Sequence, residues 1–231
     1  MRTTLVCAVL VLVVIGVAAA VGRAIFIGDW AHRAEPLRVR MLLAMGYNDR
    51  DIAHQPQDLV EVDDKFGNHR VTTWLHVIPG AVFLLLAPIQ FLPSIRNRFL
   101  GLHRWLGRIL IVAALISGAA GLFFGLFLPL GGFKESIPIA IFGALLFFSA
   151  IRGYIAIRRG EVRRHREWMI RAFAVALAIA TVRVVLTALD MARIMAADPR
   201  ALFVVSIWSG WLITLAVAEA WIRYTRGRVE A

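Results

Sequence analysis

The chain has 231 residues, of which 60% are hydrophobic, and a formal net charge of +11. Its mean hydropathy is +0.73, and its apolar content lies above the roughly 45–50% of an average soluble domain. Cys7 is the single cysteine of the sequence, which excludes disulfides, all-thiolate metal sites and iron–sulfur ligation within one chain.

Six apolar runs with few or no charges follow one another along the sequence. They cover residues 5–21, 71–92, 106–128, 137–157, 168–189 and 202–222. A helix needs about 20 such residues to cross the roughly 30 Å hydrocarbon core of a bilayer. We therefore predict an all-α, polytopic membrane protein with a six-transmembrane-helix bundle. Residues 1–231 then form a single integral membrane domain, with residues 22–70 as an external loop segment.

The first run allows two interpretations. It ends in three alanines at 18–20, which fits the cleavage site of a signal peptide. The run is long for a signal peptide, however, and the residues AIFI at 24–27 continue it beyond Arg23. We favour an uncleaved anchor, and both interpretations place the segment that begins at residue 22 on the external side. Within that external segment, residues 36–47 can form a helix on the membrane surface or an ordinary loop.

Basic residues are concentrated on alternate connections and on the C-terminal tail. The three groups are Arg96, Arg98, Arg104 and Arg108; Arg152, Arg158, Arg159, Arg163, Arg164, Arg166 and Arg171; and Arg223, Arg226 and Arg228. The opposite short loops carry only Lys134, Arg193 and Arg200. Because Lys and Arg accumulate on the cytoplasmic side, we predict a multi-pass protein of the cytoplasmic (inner) membrane with both termini in the cytoplasm. The distribution of the positive charge indicates how the chain is oriented in the lipid bilayer, and it does not indicate binding to nucleic acid.

Two histidines lie at the cytoplasmic ends of the third and fifth spans, each beside an arginine and a tryptophan. These residues, His103 and His165, are expected at similar depth, where their imidazoles can ligate one metal ion or flank a haem as axial ligands. Nearby guanidinium groups can pair with haem propionates; the candidates are Arg104, Arg108, Arg166 and Arg171. The same clusters are also compatible with plain interfacial anchoring. Glu219 is expected to pair with Arg223, four residues later.

A second polar group is predicted in the outer leaflet. His76 lies near the start of the second span and Arg183 late in the fifth, at comparable depth. They can converge on an anionic headgroup, a quinone carbonyl or a propionate; alternatively, Arg183 pairs with Asp190 or with an acid of the external loop such as Asp63 or Asp64. About 17 residues at 1.5 Å each, roughly 25 Å, separate His76 from the inner face. Inner and outer sites are therefore distinct.

Three stretches carry a resemblance to a known family: HVIPGAVFLLLAPIQF (76–91), LHRWLGRIL (102–110) and HREWMIRAFAVALAIATVRV (165–184). Together they resemble the bacterial membrane family catalogued as domain of unknown function 2306, over roughly residues 69–189. The pattern is also distantly similar to the di-haem transmembrane cytochromes b, in which paired histidines hold haems near each face. That resemblance implies His76, His103 and His165 as haem ligands. Two such haems need four histidines within the membrane and this chain has three, so at most the inner haem is supplied by this chain alone; an outer haem would need His69, a loop histidine or a partner subunit.

The expected function is a haem-b-binding redox protein that moves electrons in the membrane, with His103 and His165 as axial ligands. The alternative is a non-redox membrane protein that binds a lipid, quinone or small solute, or a subunit of a larger membrane assembly. No Ser-His-Asp or H-E-x-x-H arrangement lies within a span, so an intramembrane hydrolase finds little support and no catalytic residue is assigned. For a shared inner site we expect the third and fifth helices to be neighbours, with both imidazoles facing the bundle interior.

The arginine distribution makes a prediction about topology. A reporter fused at Arg228 should give a cytoplasmic signal, and one inserted at Phe133–Ser136 an external signal, because only the first position lies on the arginine-rich side. Paired alkaline phosphatase and fluorescent protein fusions measure both sides, and the opposite pair of signals would overturn the assignment of spans.

Overall fold

The structure, a computed structural model, describes residues 2–25, 65–192 and 198–226. Its helices are α1 (Arg2–Ile25), α2 (Arg70–Gln90), α3 (Pro93–Arg98), α4 (Leu100–Phe127), α5 (Phe133–Arg158), α6 (Val162–Met191) and α7 (Pro199–Arg226). Six of them, all but α3, are long and apolar enough to cross a membrane, and the described residues contain no strand. The prediction of an all-α, six-span membrane bundle is confirmed. The segment 36–47, with its two interpretations, lies outside the described residues.

Several helices extend beyond the apolar runs that indicated them. The helices α4 and α6 begin at Leu100 and Val162, so His103 and His165 are already helical. The segment Phe133–Ser136 is the first turn of α5 and not a loop. Hydropathy misses these turns because they are polar, whereas backbone hydrogen bonding continues the helix through the interface region where polar side chains are well solvated.

The connections on the inner side are short. Pro93 begins α3, a position where its missing N–H removes no helical hydrogen bond. Gly160 has a φ of 76° after the end of α5, a conformation that favours glycine. This left-handed residue lets the chain reverse between α5 and α6 within three residues, 159–161, and so sets the two helices side by side.

The bundle is built around a ring of four helices. In this ring α2 packs on α4, α4 on α5, α5 on α6, and α6 on α2. Outside the ring, α1 lies against both α2 and α6, and α7 packs mainly on α6. The helices α4 and α6 therefore occupy diagonal corners of the ring. Of the six candidate spans α6 has the largest buried share and α1 the smallest. The fifth span is thus the central helix of the fold.

The contact between α6 and α7 is unusually close at one point. A Cβ atom added to Gly210 would lie 2.7 Å from the backbone nitrogen of Val182 and 2.8 Å from its Cα. One turn later the hydroxyl groups of Thr214 and Thr181 are hydrogen-bonded at 2.8 Å, and Trp211 donates its indole N–H to the carbonyl of Val175 at 3.0 Å. Small residues allow such approach, which is a common basis of helix association in membranes.

This close approach predicts a cost for adding a single methyl group. Gly210→Ala should lower the thermal stability of the purified protein, by about 1–3 kcal/mol as for other overpacked contacts, because rigid backbone atoms cannot move aside. Gly101→Ala is the matched control, since nothing lies within 4 Å of a Cβ at that helical position. Equal melting temperatures for the two variants in detergent would contradict the packing described for α6 and α7.

Candidate functional site

His165, in the first turns of α6, is held by the neighbouring helix α5. Its Nδ1 atom lies 2.9 Å from the backbone carbonyl oxygen of Gly153. A carbonyl oxygen only accepts, so Nδ1 carries the proton and Nε2 of the neutral ring presents a lone pair. The contact therefore fixes both the orientation and the tautomer of this imidazole.

His103, in the first turn of α4, lies in the same inner region. Its Nδ1 atom is buried and has no hydrogen-bond partner among the described residues. His165, Arg96 and Arg104 all lie within electrostatic range of this imidazole. Sequence reasoning left a shared site of His103 and His165 open beside plain interfacial anchoring, and the structure puts both residues in this region.

The expectation that their helices are neighbours is wrong. The two helices, α4 and α6, lie on opposite corners of the four-helix ring, because α2 and α5 each pack between them. The histidines therefore belong to diagonal helices, near the end of the bundle at which α4 and α6 begin, and do not share a helix–helix interface.

Gln90 is a polar residue of this region that sequence reasoning missed. It is the last residue of α2, and both its Nε2 and its Oε1 are buried without a hydrogen-bond partner in the described part of the chain. Its Oε1 lies 3.9 Å from the position of a Cβ on Gly107, which is one helical turn after His103. The signal available in the sequence was an uncharged amide at the end of an apolar run, in PIQF. It was missed because only ionisable residues were taken as candidates within the spans.

The arginines predicted near the inner site have different surroundings. Arg171 forms a bidentate ion pair with Glu219 of α7, at 2.5 and 3.0 Å, and its guanidinium lies 4.6 Å from the centre of the Trp168 ring. Arg166 donates to the hydroxyl of Thr225 at 2.8 Å. Arg104 and Arg108 are exposed.

The expectation for Glu219 therefore needs correction. Its partner is Arg171 on the neighbouring helix and not Arg223 on its own helix. The side chain of Arg171 is only 17% exposed, so it needs a carboxylate partner, while Arg223 in the last turn of α7 is exposed. A parallel pair joins Glu167 of α6 to Arg226 of α7 at 2.9 and 3.0 Å. These pairs fasten α7 to the inner half of α6.

In the outer half, His76 of α2 is bound to α4 by two reciprocal hydrogen bonds. Its Nδ1 lies 2.9 Å from the carbonyl oxygen of Ser117, and the hydroxyl of Ser117 donates to the carbonyl of His76 at 2.7 Å. The ring lies against the backbone of α4, since a Cβ on Gly121 would be 3.0 Å from its Cε1. As in His165, Nδ1 carries the proton and Nε2 presents a lone pair.

Arg183 of α6 joins this outer region. It lies within electrostatic range of His76 and of Arg23 at the end of α1, and the convergence of His76 and Arg183 on one ligand stays a prediction. The alternative ion pair between Arg183 and Asp190 is not formed, although both residues are described. Asp63 and Asp64 lie outside the described residues.

A second histidine of the outer region, His69, lies just before the first residue of α2. The Nδ1 atom of His69 is buried without a partner among the described residues, and its ring faces Phe123 at a centroid distance of 5.6 Å. His69 and His76 are seven residues apart and share one face of the helical segment. Two histidines on one helix face cannot flank a haem from opposite sides, so this pair does not supply an outer bis-histidine site. The described residues contain no group of three or more His, Cys, Asp or Glu side chains that could hold a metal ion.

Comparison with known proteins places the chain in a family. The model of the DUF2306 family, described as a predicted membrane protein, matches residues 73–222. This chain belongs to the DUF2306 family. The matched region of this DUF2306 protein runs from α2 to α7 and contains both inner histidines, Gln90 and the outer pair of His76 and Arg183. No curated protein matches the chain, and no solved structure does.

The ion pair between α6 and α7 leads to a stability prediction. Glu219→Gln should destabilise the protein by about 1–3 kcal/mol, because Arg171 loses a charged hydrogen-bond partner in a region that is poorly hydrated. Glu161→Gln breaks the exposed pair with Arg164, at 3.0 Å, and should change stability by less than about 1 kcal/mol. Thermal unfolding in detergent measures both, and similar losses for the two variants would contradict a structural role for the Arg171–Glu219 pair.

Proposed function

We propose that this DUF2306 protein binds one haem b at the inner face of its four-helix ring and carries electrons in the cytoplasmic membrane. The observation that supports the proposal most strongly is the hydrogen bond from Nδ1 of His165 to the carbonyl of Gly153. Histidines that ligate a metal almost always donate their other N–H to a carbonyl or carboxylate, which fixes the ring and directs the free lone pair at the metal.

The proposal needs a different geometry from the one expected from the sequence, in which a shared inner site required the two histidine helices to be neighbours. Axes of neighbouring packed helices are about 8–10 Å apart, which leaves no room for a macrocycle between two facing imidazoles. In a square ring the axes of two diagonal helices are about 1.4 times as far apart as those of two neighbours, which gives roughly 11–14 Å. Two axial nitrogens need a separation of about 4 Å, with bonds near 2 Å each. Side chains from diagonal helices are therefore better placed for bis-histidine ligation than side chains from adjacent ones.

The residues present fit a haem at this position. The buried Nδ1 of His103 has no partner in the described part of the chain, so His103 lacks the second hydrogen bond that holds His165, and a buried polar atom of this kind calls for a further partner. Arg96 and Arg104 lie within electrostatic range of His103, where propionates would be neutralised. On the membrane side, the rings of Phe91 and Phe173 lie 5.7 Å apart and give the region an apolar boundary.

The chain's own residues would then act in separate ways. His103 and His165 would hold the haem iron, and Gly153 keeps His165 in the ligating tautomer. Arg96, Arg104 and Arg166 would supply positive charge at the cytoplasmic edge, while Arg171 is engaged by Glu219. When bound, haem b supplies a one-electron couple between ferric and ferrous iron.

A second candidate function is suggested by Gln90. Both polar atoms of its amide are buried without partners in the described region, and buried polar groups are normally hydrogen-bonded. A quinone or another headgroup with hydrogen-bonding oxygens would satisfy this amide together with His103, without any haem. In that case the inner region binds a membrane-soluble ligand and not a metal cofactor.

The proposed function predicts a coloured protein. Full-length protein produced in cells supplied with a haem precursor should show a Soret band that shifts on reduction. His103→Ala and His165→Ala should each lose most of the haem per protein, because each removes one axial bond. His69→Ala, at the opposite face, should retain it.

A colourless wild-type protein from haem-replete cells would remove the haem proposal. Haem retained in full by both inner histidine variants would remove the ligand assignment. If the protein is colourless, saturable binding of a quinone that is lost in Gln90→Leu would support the second candidate function.

A further inference from the structure

We propose that the lipid-facing side of α5 binds the phosphodiester of an anionic phospholipid at Arg152, with an acyl chain lying along the exposed ring of Phe148. This site is on the outside of the bundle, and it does not depend on a ligand at the inner histidines. It rests on a cation inside a span that has no acidic partner in the described chain, on the aromatic contacts beside that cation, and on the row of exposed side chains to which it belongs.

Arg152 is a charged residue within the span α5. It lies six residues before Arg158, the last residue of that helix, and its side chain is exposed on the surface of the bundle. Its guanidinium carbon lies 5.9 Å from the centre of the Phe148 ring, at the limit of a cation–π interaction. In the described part of the chain it forms no hydrogen bond and no ion pair. Because a charged side chain inside a span is costly, such a residue usually marks a functional position with a partner.

Other arginines at this end of the bundle are neutralised by the protein itself. Three of them form ion pairs with glutamates: Arg164 with Glu161, Arg171 with Glu219, and Arg226 with Glu167. Arg152 faces the bilayer instead, where the anions within reach are the phosphates of lipid headgroups. Guanidinium groups bind phosphate oxygens through charge-assisted hydrogen bonds, so a lipid phosphate can take the part that a glutamate takes for the other three arginines.

The surface beside Arg152 is apolar and aromatic. Phe148 and Ile151 are 52% and 49% exposed, and because they belong to a span, acyl chains contact them. The Phe148 ring is supported from α6 by Trp168, edge to face with the ring centroids 5.3 Å apart. The guanidinium of Arg171 covers one face of Trp168 at 4.6 Å, so Trp168 holds Phe148 in place, and the exposed Phe148 ring is the surface that an acyl chain meets.

The exposed row on α5 has the polarity of a phospholipid. Phe148, Arg152 and Arg159 lie at positions i, i+4 and i+11, which share one face of the helix. Arg159 directly follows the end of α5 and is exposed, and the two arginines are about 10 Å apart along the axis at 1.5 Å per residue. Long arginine side chains extend toward the membrane surface, so one phosphate fits between the two guanidinium groups while the acyl chain follows Phe148 deeper into the bilayer. The positive choline group of phosphatidylcholine would be repelled by Arg159, which favours an anionic lipid.

Native mass spectrometry of the full chain in detergent tests this site. The protein is titrated with dioleoyl phosphatidylglycerol and, separately, with dioleoyl phosphatidylcholine. We expect the first phosphatidylglycerol to bind about tenfold or more tightly than the first phosphatidylcholine, since each arginine near a membrane surface contributes about fivefold to the affinity for an anionic lipid. Arg152→Leu should therefore weaken the binding of phosphatidylglycerol about fivefold and leave the binding of phosphatidylcholine unchanged.

Matched variants separate this site from a general attraction of the positive surface. Arg98→Gln removes the same charge from α3, which packs on α2 and α4, and should leave the affinity for phosphatidylglycerol unchanged. Arg152→Lys keeps the charge but cannot bind a phosphate through two parallel N–H groups, so its affinity should lie between those of wild type and Arg152→Leu. Phosphatidylglycerol with brominated acyl chains adds a positional measurement, because bromine quenches the fluorescence of nearby tryptophans. Trp168→Phe should lose the quenching that saturates with this lipid.

Any of three results would overturn the proposal. The first is equal affinity for phosphatidylglycerol and phosphatidylcholine. The second is an equal loss of phosphatidylglycerol binding in Arg152→Leu and Arg98→Gln, which would mean a diffuse attraction by the whole positive surface. The third is saturable quenching that remains in full in Trp168→Phe, which would place the bound lipid elsewhere on the bundle.

Discussion

Two histidines of the membrane-spanning helices, His76 and His165, each depend on one backbone carbonyl of a neighbouring helix. His76 donates to Ser117 and His165 donates to Gly153, both at 2.9 Å. Both rings are partly buried in the bundle, where these bonds have less competition from water than on a free surface, so they fix the tautomer of each ring. Both candidate sites depend on that tautomer, because it leaves Nε2 of each ring as the atom that meets a ligand.

The central position of α6 makes the two sites compatible with a stable bundle. This helix contains five polar or charged side chains that would be costly in an isolated membrane helix. They are His165, Arg166, Glu167, Arg171 and Arg183. Most of them are matched by α7, which supplies Glu219, Thr225 and Arg226 as partners. The helix α7 thus satisfies the inner half of α6, whereas Arg183 in the other half has no hydrogen-bond or ion-pair partner among the described residues.

Much of this arrangement could be predicted from the sequence. The number of spans was evident from the length of the apolar runs. Position along a helix can be counted directly in the sequence. Family membership likewise agreed with the three quoted stretches.

The lateral arrangement could not be predicted in the same way. Hydropathy contains no information on which helix lies beside which, so the diagonal placement of α4 and α6 was missed, and Glu219 was assigned to its own helix. Gln90 was missed for a different reason: an amide becomes unusual only once it is known to be buried, and burial depends on the approach of α4 at Gly107.

The claim that both rings present Nε2 lone pairs can be measured directly. Solid-state NMR of the membrane-embedded protein, labelled with ¹⁵N at histidine and assigned with His76→Gln and His165→Gln, reports which ring nitrogen carries the proton. We predict a protonated Nδ1 and an unprotonated Nε2 for both residues in the absence of ligand. Protonation at Nε2 alone, in either residue, would contradict the hydrogen bonds to Ser117 and Gly153 on which both candidate sites depend.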